Sequence, residues 1–570
     1  MKYILYTIFF ILFLDNYAVA KTKPSRMHGR IFSPDAKEIR INDSVITLNQ
    51  QGEFEYKADL KKPKFFKLRY QHLSISLFIQ AGEDLHLSFD ASRFPQSVSF
   101  KGISADENYL LLKQDLISPA VNDYISNNWF GLNSSPESLF FSKIDSLRHL
   151  FLDPLDSLQK KNGRISPTFV FQTRGAVEFS FDKLLLIYPQ QYAKFTGEVY
   201  QDRGIITNYL NKVDLDQKEN IEIEEYASFG KMWIDAKVKE KATASRIAKV
   251  NWWLNGANEV ILKTFKNKDV IDVWRFQYLK SHIENNGISD LENNIAEYNK
   301  TAASKEFKEK INTLYQSEKI NREKAITKTY KSIDGLNLKA FVFKPKDLKK
   351  EERRLALVYF HGGSWSEGKP DWYFGNSQEG YVTICVEYRT FGRNGVMPFE
   401  EVSDTKSFFR WLRQNAEELN VDTSRIVAEG NSAGGHLILC AAMLDGFDEP
   451  YENTTVSSKP NALIINAGVY DLSNWMWFDE YVKDKEKTIS ISPLHNIKAG
   501  LPPILLFHGI NDGNVPFSTA EAFVEKMKTV ENNVEFIPIK DAQHELWFNQ
   551  DYQKISGDIK SGFLEKLGFN

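Results

Sequence analysis

The sequence predicts three folded parts in series: a small antiparallel β-sandwich over 24–103, a helical domain over 104–318, and an α/β domain with a mostly parallel sheet over 325–570. Three observations predict this multidomain class. Apolar and polar residues alternate with period two in the first part. In the second, apolar residues recur at helical spacing. In the third, short apolar runs alternate with helical stretches, the texture of strands covered on both faces by crossover helices. The length agrees, because 570 residues make roughly three or four domains at about 100–200 residues each.

Ahead of these parts, Lys2 precedes an apolar run over 4–14 that Asp15 ends, and Ala18-Val19-Ala20 supplies small residues before a cut after Ala20. That is the layout of a signal peptide over 1–20, with a run too short to span a bilayer. It predicts an exported protein, periplasmic or extracellular, with no stable membrane span after cleavage.

In the first part, 44–48, 73–79 and 85–89 alternate, and Gly29, Gly52, Gly82 and Gly102 punctuate them. In the second, Ser135-Pro136 and Ser166-Pro167 read as an N-cap followed by a first-turn proline. Val170, Val177, Phe181 and Leu184 fall on one helical face, as do Phe307, Ile311 and Leu314. Lysine and glutamate crowd 305–324, which places the main linker near 319–325. Beyond it, 326–333 and 336–343 flank Asp334-Gly335, a hairpin signal. Strand-type runs at 355–360, 381–388, 425–429, 463–466, 504–508 and 534–539 then alternate with helical stretches at 402–418, 433–444 and 518–530.

Composition excludes several classes. Lys plus Arg is 72 against 75 for Asp plus Glu, a net charge of −3, which leaves no basic field for nucleic acid. A mean hydropathy of −0.40 excludes a polytopic membrane protein. The two cysteines, Cys385 and Cys440, sit in apolar runs with no CxxC spacing, so they read as buried thiols. Residues 363–370 nearly spell a phosphate-binding loop, but Pro370 stands where a magnesium-binding Ser or Thr belongs. His544-Glu545 opens a zinc-protease pattern whose second histidine is replaced by Phe548.

Chemistry concentrates in the last part. Gly430-Asn431-Ser432-Ala433-Gly434 follows the run 425–429 and opens an apolar helix. A strand–turn–helix context of this kind exposes a serine Oγ at the C-terminal edge of a sheet. Serine is a weak nucleophile at neutral pH and needs a base, itself oriented by a carboxylate. Downstream, Asp512 and His544 each occupy the loop after a buried strand, so successive strand ends bring Ser432, Asp512 and His544 to one edge. His508, Asp541, His495 and His436 are the less well-placed competitors. Attack on a carbonyl builds negative charge on its oxygen, which preorganised N–H groups must meet. Ala433 follows the nucleophile, and Gly362 and Gly363 follow the run 355–360 in His361-Gly362-Gly363-Ser364-Trp365; these three N–H groups are the expected oxyanion donors, with His361 holding the loop. Trp365, Trp475, Trp477 and Trp547 fall in loops after strand ends and are expected to line the substrate pocket. No metal or cofactor is needed for this chemistry.

His361-Gly362-Gly363-Ser364-Trp365, Gly430-Asn431-Ser432-Ala433-Gly434-Gly435, Asp512-Gly513-Asn514-Val515-Pro516 and His544, in that order, resemble the esterase and lipase branch of the α/β-hydrolases, near the hormone-sensitive-lipase-like and polysaccharide-acetylesterase-like families. The resemblance covers about 325–570 and implies an α/β-hydrolase fold and a serine esterase. Two departures matter. Ser364 stands where many members carry a third glycine, and no long helical cap directly precedes His361, which predicts an open alcohol side of the pocket. In the front half, Ile79-Gln80-Ala81-Gly82-Glu83-Asp84, Phe100-Lys101-Gly102 and Glu107-Asn108-Tyr109-Leu110 resemble the β-rich and helical region ahead of thioredoxin-like domains in exported bacterial proteins. That region implies no activity and assigns no role to 21–320; a glycan or envelope component is a partner the front half could bind.

The expected function is therefore an exported serine esterase acting on a small-molecule or carbohydrate ester, favouring small acyl groups such as acetyl. A prolyl-oligopeptidase-like peptidase is one rival, weakened by the lack of a repeated β-propeller pattern. A non-catalytic envelope binding or scaffold protein is the other, weakened by the intact Ser432, Asp512 and His544.

Overall fold

The computed structural model describes residues 24–242, 250–376 and 380–569; the signal-peptide reading over 1–20 lies outside them. The chain divides into two compact units, Met1–Trp233 and Ile234–Asn570.

The first unit opens with two four-stranded sheets. Inward residues of both, among them Met27, Leu85 and Phe89 from one and Ile39, Leu68 and Ile75 from the other, share one core. Ser25–Phe32 and Asp84–Asp90 pair in parallel, whereas the sequence pattern had suggested antiparallel strands throughout. Period-two alternation fixes which face a residue takes and carries no information on strand direction. The resemblance residues Glu83 and Asn108 form a buried polar seam. The Glu83 carboxylate accepts from the Ser104 N–H at 2.8 Å, and the Asn108 side chain accepts from the Phe78 N–H at 2.8 Å and donates to its carbonyl at 2.9 Å. Long helices follow at Ala105–Asn127, Glu137–Lys161 and Pro167–Thr196. Ser166 caps the third through the Phe169 N–H, with Pro167 in its first turn. Ser135 does not cap the second: Pro136 takes the N-cap position, and the Ser135 hydroxyl donates instead to the Leu132 carbonyl of the preceding short helix.

The second unit is built on an eight-stranded sheet. Its strands are β1 (Ile326–Ile333), β2 (Leu336–Phe343), β3 (Arg354–Phe360), β4 (Val382–Val386), β5 (Val421–Asn431), β6 (Ala462–Asn466), β7 (Ile504–Gly509) and β8 (Val534–Ile539). Their order across the sheet is β8-β7-β6-β5-β3-β4-β2-β1. The Asp334-Gly335 turn closes an antiparallel hairpin of β1 and β2, while β3 through β8 pair in parallel. Every residue of β4 and β6 is buried, as two covered faces require. Phe408, Leu437 and Phe523 pack helices Pro398–Gln414, Ala433–Met443 and Phe517–Thr529 on one face; Phe563 and Leu564 of Gln550–Lys566 pack on the other. Cys385 and Cys440 are buried and form no disulfide.

Four helices that precede the sheet, Trp252–Thr264, Lys268–Asn286, Glu292–Thr301 and Lys305–Arg322, belong to this second unit. The helical stretch read as 104–318 is thus shared between the units, and their division falls well before the Lys/Glu-rich 319–325. Within Lys305–Arg322 the apolar residues Phe307, Ile311 and Tyr315, four apart, are buried. The Lys/Glu-rich stretch 305–324 is largely this amphipathic helix, and 319–325, read as the linker, spans its last turn and the short turn into β1. Among the described residues, no helix is long and apolar enough to cross a membrane.

Candidate active site

Because β3 through β8 are parallel, the loops after β3, β5, β7 and β8 all leave the sheet at the same edge. These loops carry Gly362 and Gly363, Ser432, Asp512 and His544. The turn from β5 into helix Ala433–Met443 is tight, and Ser432 takes φ 52° and ψ −122°. A residue with a Cβ is strained there. The surroundings hold it in place. The Ser432 N–H donates to the Asn466 carbonyl at the end of β6 at 3.0 Å, and the Ser432 carbonyl accepts from the His436 N–H at 3.0 Å. Glycine is obligatory at 434, since a methyl there would stand 2.2 Å from the Phe360 carbonyl oxygen. The helix therefore sits directly on the end of β3.

Below the turn lies a buried polar platform that sequence reasoning missed. The Asn466 side chain donates to Glu429 at 2.9 Å and accepts from the Tyr552 hydroxyl at 2.9 Å, and Lys560 of the last helix pairs with Glu429 at 2.6 Å. Burial pushes the Lys560 ammonium down, but the Glu429 carboxylate outweighs it and holds the pKa above its ordinary value. The Tyr373 hydroxyl bonds the side chain of Asn431, next to Ser432. A signal was present for Glu429: an acid inside an apolar strand run requires a buried partner. Nothing in the sequence pointed to Lys560 as that partner.

Asp512 and His544 come together. His544 Nδ1 lies 2.8 Å from Asp512 Oδ2, while Asp512 Oδ1 accepts the N–H groups of Asn514 at 2.9 Å and Val515 at 2.8 Å. His508, fully buried, places Nε2 at 3.3 Å from the same Oδ2 and at 3.0 Å from the Val515 carbonyl. Burial pushes the Asp512 carboxyl up, but the hydrogen bonds from His508, His544 and the Val515 N–H prevail and hold it well below the usual carboxylate range. Asp512 is an anion, and it orients the imidazole of His544.

The glycines after β3 reach Ser432. A methyl built on Gly362 would stand 3.3 Å from Ser432 Cβ and 3.1 Å from the Asn431 carbonyl oxygen. Bare backbone is what lets this chain approach the serine. Gly363 takes φ 116°, and its carbonyl accepts the N–H groups of Ser366 and Glu367 at 3.0 Å each. Ala433 is buried at the first position of its helix. His361 is buried against Tyr388, whose hydroxyl donates to the His361 carbonyl at 2.6 Å. Burial pushes its imidazole down to about 3, so it is neutral.

The tryptophans divide. Trp365, expected in the pocket wall, is wholly buried; its indole N–H donates to His436 Nδ1 at 3.2 Å and its ring packs on Trp475 and Phe478. The left-handed backbone at 364 and 365 (φ 52° and 58°) turns that side chain inward. Trp475 is half-buried on the same core. The Trp477 side chain lies outside the described residues. Trp547, three residues beyond His544, is 46% exposed and paired with the exposed Phe548. Phe478 also lines a cavity of about 340 Å³ with Leu472, Ser473, Asp479, Lys483 and Thr488. Among the described residues no cluster of His, Cys, Asp or Glu is arranged to hold a metal ion.

Residues 342–527 match the BD-FAE family model. A probable isoprenylcysteine alpha-carbonyl methylesterase of Arabidopsis thaliana is 26% identical over 221 residues, 34% of this chain and 46% of that protein. An esterase of Mycobacterium tuberculosis is 24% identical over 218 residues, 33% of this chain and 52% of that protein. The chain thus spans about half the length of the curated relatives it matches. Among solved structures, esterase 2 of Thermogutta terrifontis is 38% identical over 43% of this chain and 96% of its own, with a TM-score of 0.41.

Proposed function

We propose, for a chain whose C-terminal region belongs to the α/β-hydrolase-type esterases, that it hydrolyses carboxylic esters by two-step acyl transfer through Ser432, His544 and Asp512. The observation that carries the reading is the 2.8 Å contact of His544 Nδ1 with Asp512, at the sheet edge where Ser432 sits strained against Gly362. With Nδ1 committed to Asp512, the lone pair of His544 is at Nε2. His544 takes the proton of Ser432 as Oγ attacks the ester carbonyl, and Asp512 stabilises the imidazolium that forms. The N–H groups of Gly362, Gly363 and Ala433 bind the oxyanion. His544 then protonates the leaving alcohol, and water activated by the same imidazole releases the acid.

The favoured substrate is a small acyl ester, such as acetyl, on a carbohydrate alcohol. One feature supports it: the exposed indole of Trp547, three residues beyond His544, offers a face for a sugar ring. Export belongs to the proposal on the pattern of Lys2, the apolar run and Ala18-Val19-Ala20, and fractionation with N-terminal sequencing of the mature chain tests it. A glycan or envelope partner for the front half completes it. The main test is an ester panel of graded acyl length and varied alcohol, including methyl esters and acetylated oligosaccharides. Turnover of short acyl esters that Ser432→Ala abolishes is expected. No turnover of any ester by the folded full chain refutes the reading.

A further inference from the structure

The loop that carries Gly362 and Gly363 is fastened at its far end to helices outside the α/β sheet. We propose that Arg322 and Lys369 are positioning residues for the oxyanion donors, so that the segment 252–322 is a working part of the catalytic unit. The proposal rests on the esterase reading above and assigns these residues within that same site.

The fastening is polar and buried and uses three positions of the loop, 368, 369 and 371. The Gly368 N–H donates to the Asn285 carbonyl, at the end of helix Lys268–Asn286, at 2.7 Å. Lys369 donates to Glu318 at 2.9 Å and to the Ile283 carbonyl at 3.3 Å. Asp371 receives Arg322 through two parallel bonds, Nε to Oδ1 at 2.8 Å and Nη2 to Oδ2 at 2.7 Å. Arg322 also donates from Nη1 to Ser289 at 2.7 Å, and Ser289 bonds the buried Glu387, which pairs with Arg393 at 3.2 Å. Lys369, Asp371 and Arg322 are each at most 9% exposed. Charges so desolvated keep strict geometry, because no water substitutes for a lost partner.

The clamp reaches the donors by direct contact. Gly368 takes φ 119°, and a methyl there would stand 2.4 Å from the Gly362 carbonyl oxygen and 2.1 Å from His361 Nδ1. Its backbone therefore lies flush against the Gly362–Gly363 peptide and the His361 ring. Gly363 is tied to the same turn through the Ser366 and Glu367 N–H groups. A shift of Gly368 toward or away from helix Lys268–Asn286 displaces the Gly362–Gly363 peptide by a similar amount. The Gly363 N–H of that peptide is one of the proposed oxyanion donors, and a misplacement near 1 Å in such a group costs on the order of 100-fold in rate.

The test compares full-length wild type with Lys369→Met, which keeps the stem and removes the cation, and with Arg322→Met and Arg322→Lys. Rates are expressed per active site titrated, so misfolded protein does not count. Each variant is assayed for kcat and KM on one activated acetyl ester. It is also assayed for affinity toward a trifluoromethyl ketone, whose serine adduct carries an oxyanion. The expected result is a kcat lower by about 10- to 100-fold, KM within about threefold, and ketone affinity reduced by a factor similar to that in kcat. Arg322→Lys recovers part of the loss through its charge, though not all, because it cannot form the two parallel bonds. Unchanged kcat per titrated site and unchanged ketone affinity, with only the melting temperature lowered, overturn the proposal and leave the clamp purely structural. A wild type without ester turnover sinks the esterase reading and this proposal together; an active wild type with unaffected variants sinks this one alone.

Discussion

Replacing Ser432 by glycine is expected to stabilise the second unit while destroying its activity. Ser432 is held at φ 52° and ψ −122°, a region in which a residue with a Cβ pays about 1–3 kcal/mol of strain. Glycine relieves that strain but gains unfolded-state entropy worth about 0.4–1 kcal/mol against folding. The balance favours glycine by about 1.3 kcal/mol at the middle of both ranges, with limits of about 0 and 2.6 kcal/mol. Alanine is the proper reference, because it removes the hydroxyl yet keeps the Cβ that causes the strain. The assay is urea unfolding of Ser432→Gly and Ser432→Ala under identical conditions, comparing midpoints at equal slopes. Both variants have no esterase activity, and the glycine variant has the higher midpoint. A glycine variant equal to or less stable than alanine refutes the argument that the nucleophile turn stores strain.

Gly362→Ala places a methyl 3.1 Å from the Asn431 carbonyl and 3.3 Å from Ser432 Cβ; kcat is expected to fall about 100-fold, the scale of one lost oxyanion donor, with KM nearly constant in steady-state assays. Ser432→Ala and His544→Ala lose activity to a comparable degree, and the double variant loses no more, because the two act as a unit; additive losses in the same assay contradict this. Lys560→Met strands the Glu429 carboxylate beneath the nucleophile and costs about 3–5 kcal/mol, whereas adding Glu429→Gln in the double variant restores much of the unfolding midpoint. Burial holds His361 down at about 3, His282 at about 3 and His436 at about 4. In the unfolded chain each returns to about 6.5, so below that pH the unfolded state binds more protons and stability drains away as pH falls toward 4. Denaturation midpoints should therefore drop between pH 7 and 5, and His436→Gln should flatten that slope; a slope unchanged by the substitution removes His436 as a cause.

Much of the second unit was legible because its local signals agree with its tertiary environment. The Asp334-Gly335 turn, the apolar runs and the glycine-framed serine each report a local requirement. Asp512 and His544 were legible as strand-end residues, although their 2.8 Å contact depends on β7 and β8 being neighbours, which no local pattern encodes. Other features were not legible, and three show why. The parallel pairing of Ser25–Phe32 with Asp84–Asp90 leaves the alternation of each strand untouched. The inward turn of Trp365 is set by positive φ at two non-glycine positions, which composition does not announce. The helices over 252–322 looked independent of the sheet because the partners that bind them, such as Arg322 with Asp371 and Lys369 with Glu318, are charged residues 49 and 51 positions apart. Charge-rich sequence ordinarily reads as a solvated face, and here part of it is desolvated against a loop.

The central claim is that Ser432 becomes a nucleophile only through His544. The most direct measurement is covalent labelling of the full-length protein with a serine-reactive fluorophosphonate, followed by peptide mapping. A single adduct on Ser432 in the wild type, formed at least 100-fold more slowly in His544→Ala, is the result predicted. An adduct at another serine, or unchanged labelling of Ser432 without His544, contradicts the account.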